Sequence, residues 1–129
     1  THTDSSAASD VYKRQKLIIS FLLSCSVFLF VIDDLTLFFH NRSIYIVLAG
    51  ALSFAIFGKD NPERLEYFSK GAVTFGWLGV LVGAVMLLAS LEVDPAGIGP
   101  AMALMLLTAL YGHMVQAACF LIKASSLIK

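Results

Sequence analysis

The sequence predicts an all-α fold, an integral membrane protein with four transmembrane helices. Composition predicts it first: of 129 residues, 58% are hydrophobic and 14% charged, with a mean hydropathy of +0.83. A soluble domain is about 45–50% apolar and about 25% charged. So short a chain keeps too much surface to hide that excess in one water-soluble core, and lipid is the solvent that suits it. Second, the apolar residues fall into four runs near the roughly 20 residues that a helix needs to cross the hydrocarbon. Third, basic residues alternate from loop to loop.

Taken in order, residues 5–15 read SSAASDVYKRQ, which looks like an in-frame translation of a sequencing adapter. Residues 1–15 are therefore expected to be such a scar or a disordered leader, with one four-helix domain over 16–129. The first span, about 17–34, is broken only by Ser20, Ser24 and Ser26 and ends at Asp33 and Asp34. That pair either gathers cations at a mouth or ends the span in solvated headgroups. The second span is about 43–58, and it borrows from 37–39 or begins near Ser43. The third, 72–91, carries no charged residue. The fourth covers 99–122, with Pro100 in its first turn, where a missing N–H costs nothing.

The loops set the orientation. Lys16 precedes the first span, Lys59, Arg64 and Lys70 lie between the second and third, and Lys123 and Lys129 follow the fourth. The other two loops hold Arg42 as their one base, beside Asp33, Asp34, Glu92 and Asp94. Six bases against one is the positive-inside pattern, with both termini cytoplasmic. A soluble bundle with greasy helices would not require it. In the loop 59–70, Asn61-Pro62 marks a turn and 63–68 can start an interfacial helix. Asp94-Pro95 and Gly97 mark a compact outer turn.

Zero net charge gives no case for a nucleic-acid partner. Cys25 and Cys119 sit in apolar runs as small fillers, with no metal-ligand spacing and no cofactor motif. No nucleophile, base and oxyanion grouping stands out, so an enzyme reading has no footing.

Helices in lipid associate through close packing of small residues. The third span carries Gly76, Gly79 and Gly83, the last two as a GxxxG pair. The fourth is rich in alanine and includes Gly112. These residues pack the four helices of one chain, or they build a homo-oligomer. Spans three and four contain no Asp, Glu, Lys or Arg, which leaves His113 as the one ionisable group well inside. Thr108, Gly112 and Gln116 recur at i, i+4, i+8, flanked by His113. Either they wall an ion or water path with His113 titrating, or Thr108 bonds its own helix while His113 and Gln116 bond neighbours. Trp77 suits an interfacial anchor, His40 a solvated outer turn, and the deep Tyr111 hydroxyl needs a partner.

Several pieces of spans three and four match a known pattern: Gly76, Gly79 and Gly83; Asp94-Pro95; Ile98-Gly99-Pro100-Ala101-Met102-Ala103; Leu106-Leu107-Thr108; and Leu110-Tyr111-Gly112. They resemble the final helix pair of the MotA/PomA-type flagellar stator subunits, within the wider MotA/TolQ/ExbB proton channel family. Residues 38–57 resemble that family's second helix, so the likeness covers most of 38–123. The resemblance implies a bacterial inner-membrane subunit in a pentameric ring. It implies a MotB/PomB-like single-span partner whose membrane Asp carries the ion. A chain with no carboxylate in its last two spans needs such a donor, because an unpaired charge there costs at least about 2.5 kcal/mol.

Three departures qualify the resemblance. The family's proline early in the third helix falls at Val73. The pore threonines of the sodium type fall at Val80 and Ala109, leaving Thr108 one position, about 100°, away. The long cytoplasmic region between helices two and three is reduced to residues 59–70. These readings leave three functions open. One is a stator-like subunit coupling proton flow, in preference to sodium, to movement of its partner. The others are an ExbB/TolQ-like energiser of outer-membrane work and a non-conducting membrane scaffold.

Overall fold

The structure, a computed structural model, describes residues 2–31, 35–91 and 95–125. Asp33, Asp34, Glu92, Asp94 and Lys129, with the readings attached to them, lie outside the described residues. The elements in order are α1 (His2–Val31), a 3-10 turn (Leu35–Phe38), α2 (Asn41–Ala55), α3 (Asn61–Ser90), a second 3-10 turn (Pro95–Gly97) and α4 (Ile98–Ala124). No strand occurs among the described residues. Residues 2–15 and the apolar run after them form one continuous helix.

Helices α3 and α4 form an antiparallel hairpin, α2 lies in the groove between them, and α1 touches the far side of α4. The core is small: Val47, Ala51 and Ala72 are buried, with Phe68, Tyr111 and Val115 packed around them. Most large apolar side chains face outward instead, among them Phe30 at 89% exposure and Leu88 at 67%. A surface of this kind suits a lipid solvent. Among the described residues, α3 and the segment 95–124 are long and apolar enough to cross a membrane.

The second helix lies within three residues of the expected 43–58 at both ends. Helix α2 has 15 residues, about 22 Å, against a hydrocarbon thickness of about 30 Å. It cannot cross alone. Residues 37–39, one of the two expected starts, lie in or beside the 3-10 turn, and the helix takes the other, near Ser43. The cause is local: His40 is extended and its ring accepts from the Ser43 N–H, capping the helix at Asn41. Arg42, placed in an outer loop by charge, therefore belongs to the first turn of α2.

The third helix starts eleven residues before the expected 72, at Asn61. Asp60 caps it by accepting from the Glu63 N–H at 2.9 Å, Pro62 sits in its first turn, and Glu63 accepts from the Lys59 N–H at 2.7 Å. These interactions satisfy donors that a helix start leaves orphaned. The expected interfacial helix start at 63–68 is continuous with the apolar span. At this end Glu66 pairs with Lys70 at 2.9 Å and with Lys123 at 3.6 Å.

Candidate functional site

The α3–α4 seam is built on glycine. A β-carbon on Gly76 would stand 3.0 Å from the Thr108 carbonyl oxygen and 3.4 Å from the Gly112 Cα. One on Gly112 would stand 2.7 Å from the Ala72 carbonyl oxygen. The two backbones approach too closely for any side chain. A β-carbon on Gly79 would stand 2.5 Å from the Thr108 methyl, and one on Gly83 would meet the Met105 side chain. Gly76, Gly79 and Gly83 of α3 thus meet α4 of the same chain. Gly50 and Gly71 do the same between α2 and α3, where a β-carbon on Gly71 would lie 2.5 Å from the Gly50 carbonyl oxygen.

A polar link crosses the packed interior. Thr108 is buried, and its hydroxyl lies 2.9 Å from the Leu104 carbonyl and 3.1 Å from the Ser43 hydroxyl. Ser43, also buried, lies 3.0 Å from His40 Nδ1. Because Nδ1 also accepts the Ser43 N–H at 3.3 Å, the neutral ring carries its proton on Nε2. Thr108 is ten residues into α4, about 15 Å from its start. The chain joining the first 3-10 turn to α2 therefore lies far down the α3–α4 hairpin. In lipid, irregular backbone at such depth must find partners within the protein. Tyr111 supplies them: its hydroxyl donates to the Phe38 carbonyl and accepts the His40 N–H at 3.1 Å. The sequence left Tyr111 in need of a partner, and this is the partner. His40, expected to be solvated, is instead half-buried and bonded. Neither Ser43 nor His40 stood out as a site residue; their three-residue spacing ahead of an apolar run was the available capping signal.

The expected stripe divides between two faces. Thr108 and Gly112 are buried in the seam, whereas His113 and Gln116 are exposed. His113 Nδ1 lies 3.3 Å from Gln116 Oε1, and its ring meets Trp77 edge-on with centroids 6.1 Å apart. His113 also lines a cavity of ≈ 190 Å³ between α4 and α1, together with Cys25, Ala117 and Leu121. Val80 and Ala109 are half-buried. Neither offers a polar atom beyond its backbone. Among the described residues no cluster of His, Cys, Asp and Glu could hold a metal ion, and no buried side-chain polar atom lacks a partner.

These features define an all-helical protein built on a glycine-packed hairpin of membrane-crossing length. Over 49 residues the chain is 47% identical to the chemotaxis protein PomA of Vibrio alginolyticus. The match covers 38% of this chain and 19% of that protein, so the chain aligns with about a fifth of its relative. No family profile matches the chain, and no solved structure does.

Proposed function

We propose that the chain is an inner-membrane subunit of a stator-like complex in which proton flow moves a single-span partner. The similarity to PomA is the observation that carries this reading. The hairpin chemistry supports the need for a partner. From Gly71 to Leu91 and from Ile98 to Ile122 the chain offers no carboxylate and no base stronger than His113. The hydroxyls of Thr108 and Tyr111 are already committed to Leu104, Ser43 and Phe38. A proton relay along these helices therefore needs an acidic group from another chain. His113 and Gln116 remain as polar groups directed away from the seam. Sodium would find few ligands near Val80 and Ala109, which favours the proton.

In this reading both termini are cytoplasmic, α2 enters the membrane only part-way against the hairpin, and the outward apolar faces meet copies of the chain in a ring, a pentamer in the stator class. A second reading, the non-conducting scaffold, is favoured by the apolar Val80 and Ala109 and by the fully committed Thr108 hydroxyl. An ExbB/TolQ-like energiser would use the same assembly with a different partner.

The test is proton flux in proteoliposomes holding the chain alone or with a co-expressed single-span protein bearing a central membrane Asp. Flux that needs both chains and falls when that Asp becomes Asn supports the stator reading. Flux from the chain alone overturns it, and absence of flux with the partner bound leaves the scaffold reading in its place.

A further inference from the structure

The end of the hairpin carrying Lys70 and Lys123 has the chemistry of a lipid-headgroup site. Lys70 is the last charged residue of α3 before its apolar run, and Lys123 is the first in α4 after its own. Lys70 meets Glu66 one turn away on α3 at 2.9 Å, and antiparallel packing brings Lys123 to the same carboxylate at 3.6 Å. Two ammonium groups share one carboxylate, which leaves one net positive charge at the level where apolar helix gives way to polar chain. The lysine side chains are 63% and 58% exposed, so both can reach a further anion. Between the helices they border a cavity of ≈ 230 Å³ whose wall continues along Leu65, Cys119 and Phe120. Ser69 and Gln116 complete the lining, so its surface is charged at the rim and mostly apolar below.

We propose that Lys70 and Lys123 bind the phosphate of an anionic membrane phospholipid whose acyl chain lies along Leu65, Cys119 and Phe120. The proposal rests on the membrane reading of α3 and α4 and is independent of ion conduction. Charge complementarity selects this occupant. A lysine pair in a headgroup layer attracts anionic lipid, and the leaflet facing basic loops is the one rich in it. The apolar wall adds the acyl chain, which a free phosphate cannot use. Glu66 acts as an internal competitor, holding both lysines until a lipid phosphate displaces one of them.

The test is native mass spectrometry of the full chain in detergent, titrated with phosphatidylglycerol or with phosphatidylcholine of the same acyl length. Phosphatidylglycerol should be retained in preference. Lys70→Gln and Lys123→Gln should each weaken that retention roughly fivefold, whereas Lys70→Arg and Lys123→Arg should preserve it. Glu66→Gln should strengthen it by freeing both lysines. Circular dichroism on each variant separates lost binding from lost fold. Equal retention of the two lipids, or no response to Glu66→Gln in a folded variant, would overturn the proposal. So would full displacement of the lipid by millimolar inorganic phosphate, which would mark a simple anion site. Lipid retention by a chain that conducts no protons would support the site while the stator reading fails.

Discussion

Gly76 and Gly112 face each other across the α3–α4 seam, where a β-carbon on the first would lie 3.4 Å from the Cα of the second. This contact sets how near the two longest apolar helices can come. In lipid, where apolar burial gives little net drive, close backbone approach supplies much of the association.

Gly112→Ala should therefore cost about 1–3 kcal/mol, because its new methyl would meet the Ala72 carbonyl oxygen, an unyielding backbone atom, at 2.7 Å. Gly83→Ala should cost less, since the flexible Met105 side chain can move aside. Reversible unfolding in mixed detergent micelles measures both. Equal losses at the two positions would remove the distinction between backbone and side-chain neighbours.

Thr108→Val keeps the volume and removes the hydroxyl that lies 3.1 Å from Ser43. A double-mutant cycle with Ser43→Ala should give a coupling of about 0.6 kcal/mol, reaching about 1.7 at most, the range for such bonds in membrane helices. Zero coupling would mean that Leu104 alone takes the Thr108 proton.

Tyr111→Phe removes the partner of the Phe38 carbonyl and of the His40 N–H. We expect the 3-10 turn and the start of α2 to loosen at a cost of about 1–2 kcal/mol. Hydrogen exchange at the His40 amide should accelerate while α3 amides stay protected. Unchanged protection at His40 would show that another group holds the turn.

The Lys70 ammonium, hydrogen-bonded to Glu66, holds that carboxyl below its ordinary value, and Glu66 in turn raises Lys70. The Glu66 contribution to stability is therefore present above the ordinary carboxylate range and is lost as pH falls through the lowered value. Lys70 contributes below its ordinary value and loses that contribution as pH rises through the raised one. Both groups are exposed, so the effect on overall stability should be slight. Site-resolved NMR should find Glu66 titrating higher in Lys70→Gln, and an unmoved titration would rule out the pair as its cause.

His113 lies edge-on to Trp77, the single tryptophan of the chain. His113→Leu should alter the indole emission by removing the ring that meets its edge. An unchanged emission would show that the two rings do not touch.

The hairpin was legible because uncharged helix-length runs and the position of Pro100 mark α3 and α4 without reference to the rest of the chain. Its close packing was legible in kind from Gly76, Gly79 and Gly83, but their partners were not, since contact geometry is absent from a linear pattern. The length of α2 was legible in the run 43–58, but what fixes its start was not, because that depends on the His40 cap and on Tyr111, residues 71 positions apart. The stripe divides for a geometric reason: eight residues at about 100° each leave Gln116 some 80° around the helix from Thr108. That drift carries Gln116 and His113 out of the seam that holds Thr108 and Gly112.

The most direct test of the account asks whether α3 and α4 cross a bilayer as a hairpin. With Cys25 and Cys119 replaced by Ala, single cysteines at Lys59 and Ala96 would be labelled in sealed vesicles by a membrane-impermeant maleimide. The account predicts that the two positions react from opposite faces, Lys59 from the cytoplasmic one. Labelling of both from the same face would contradict it.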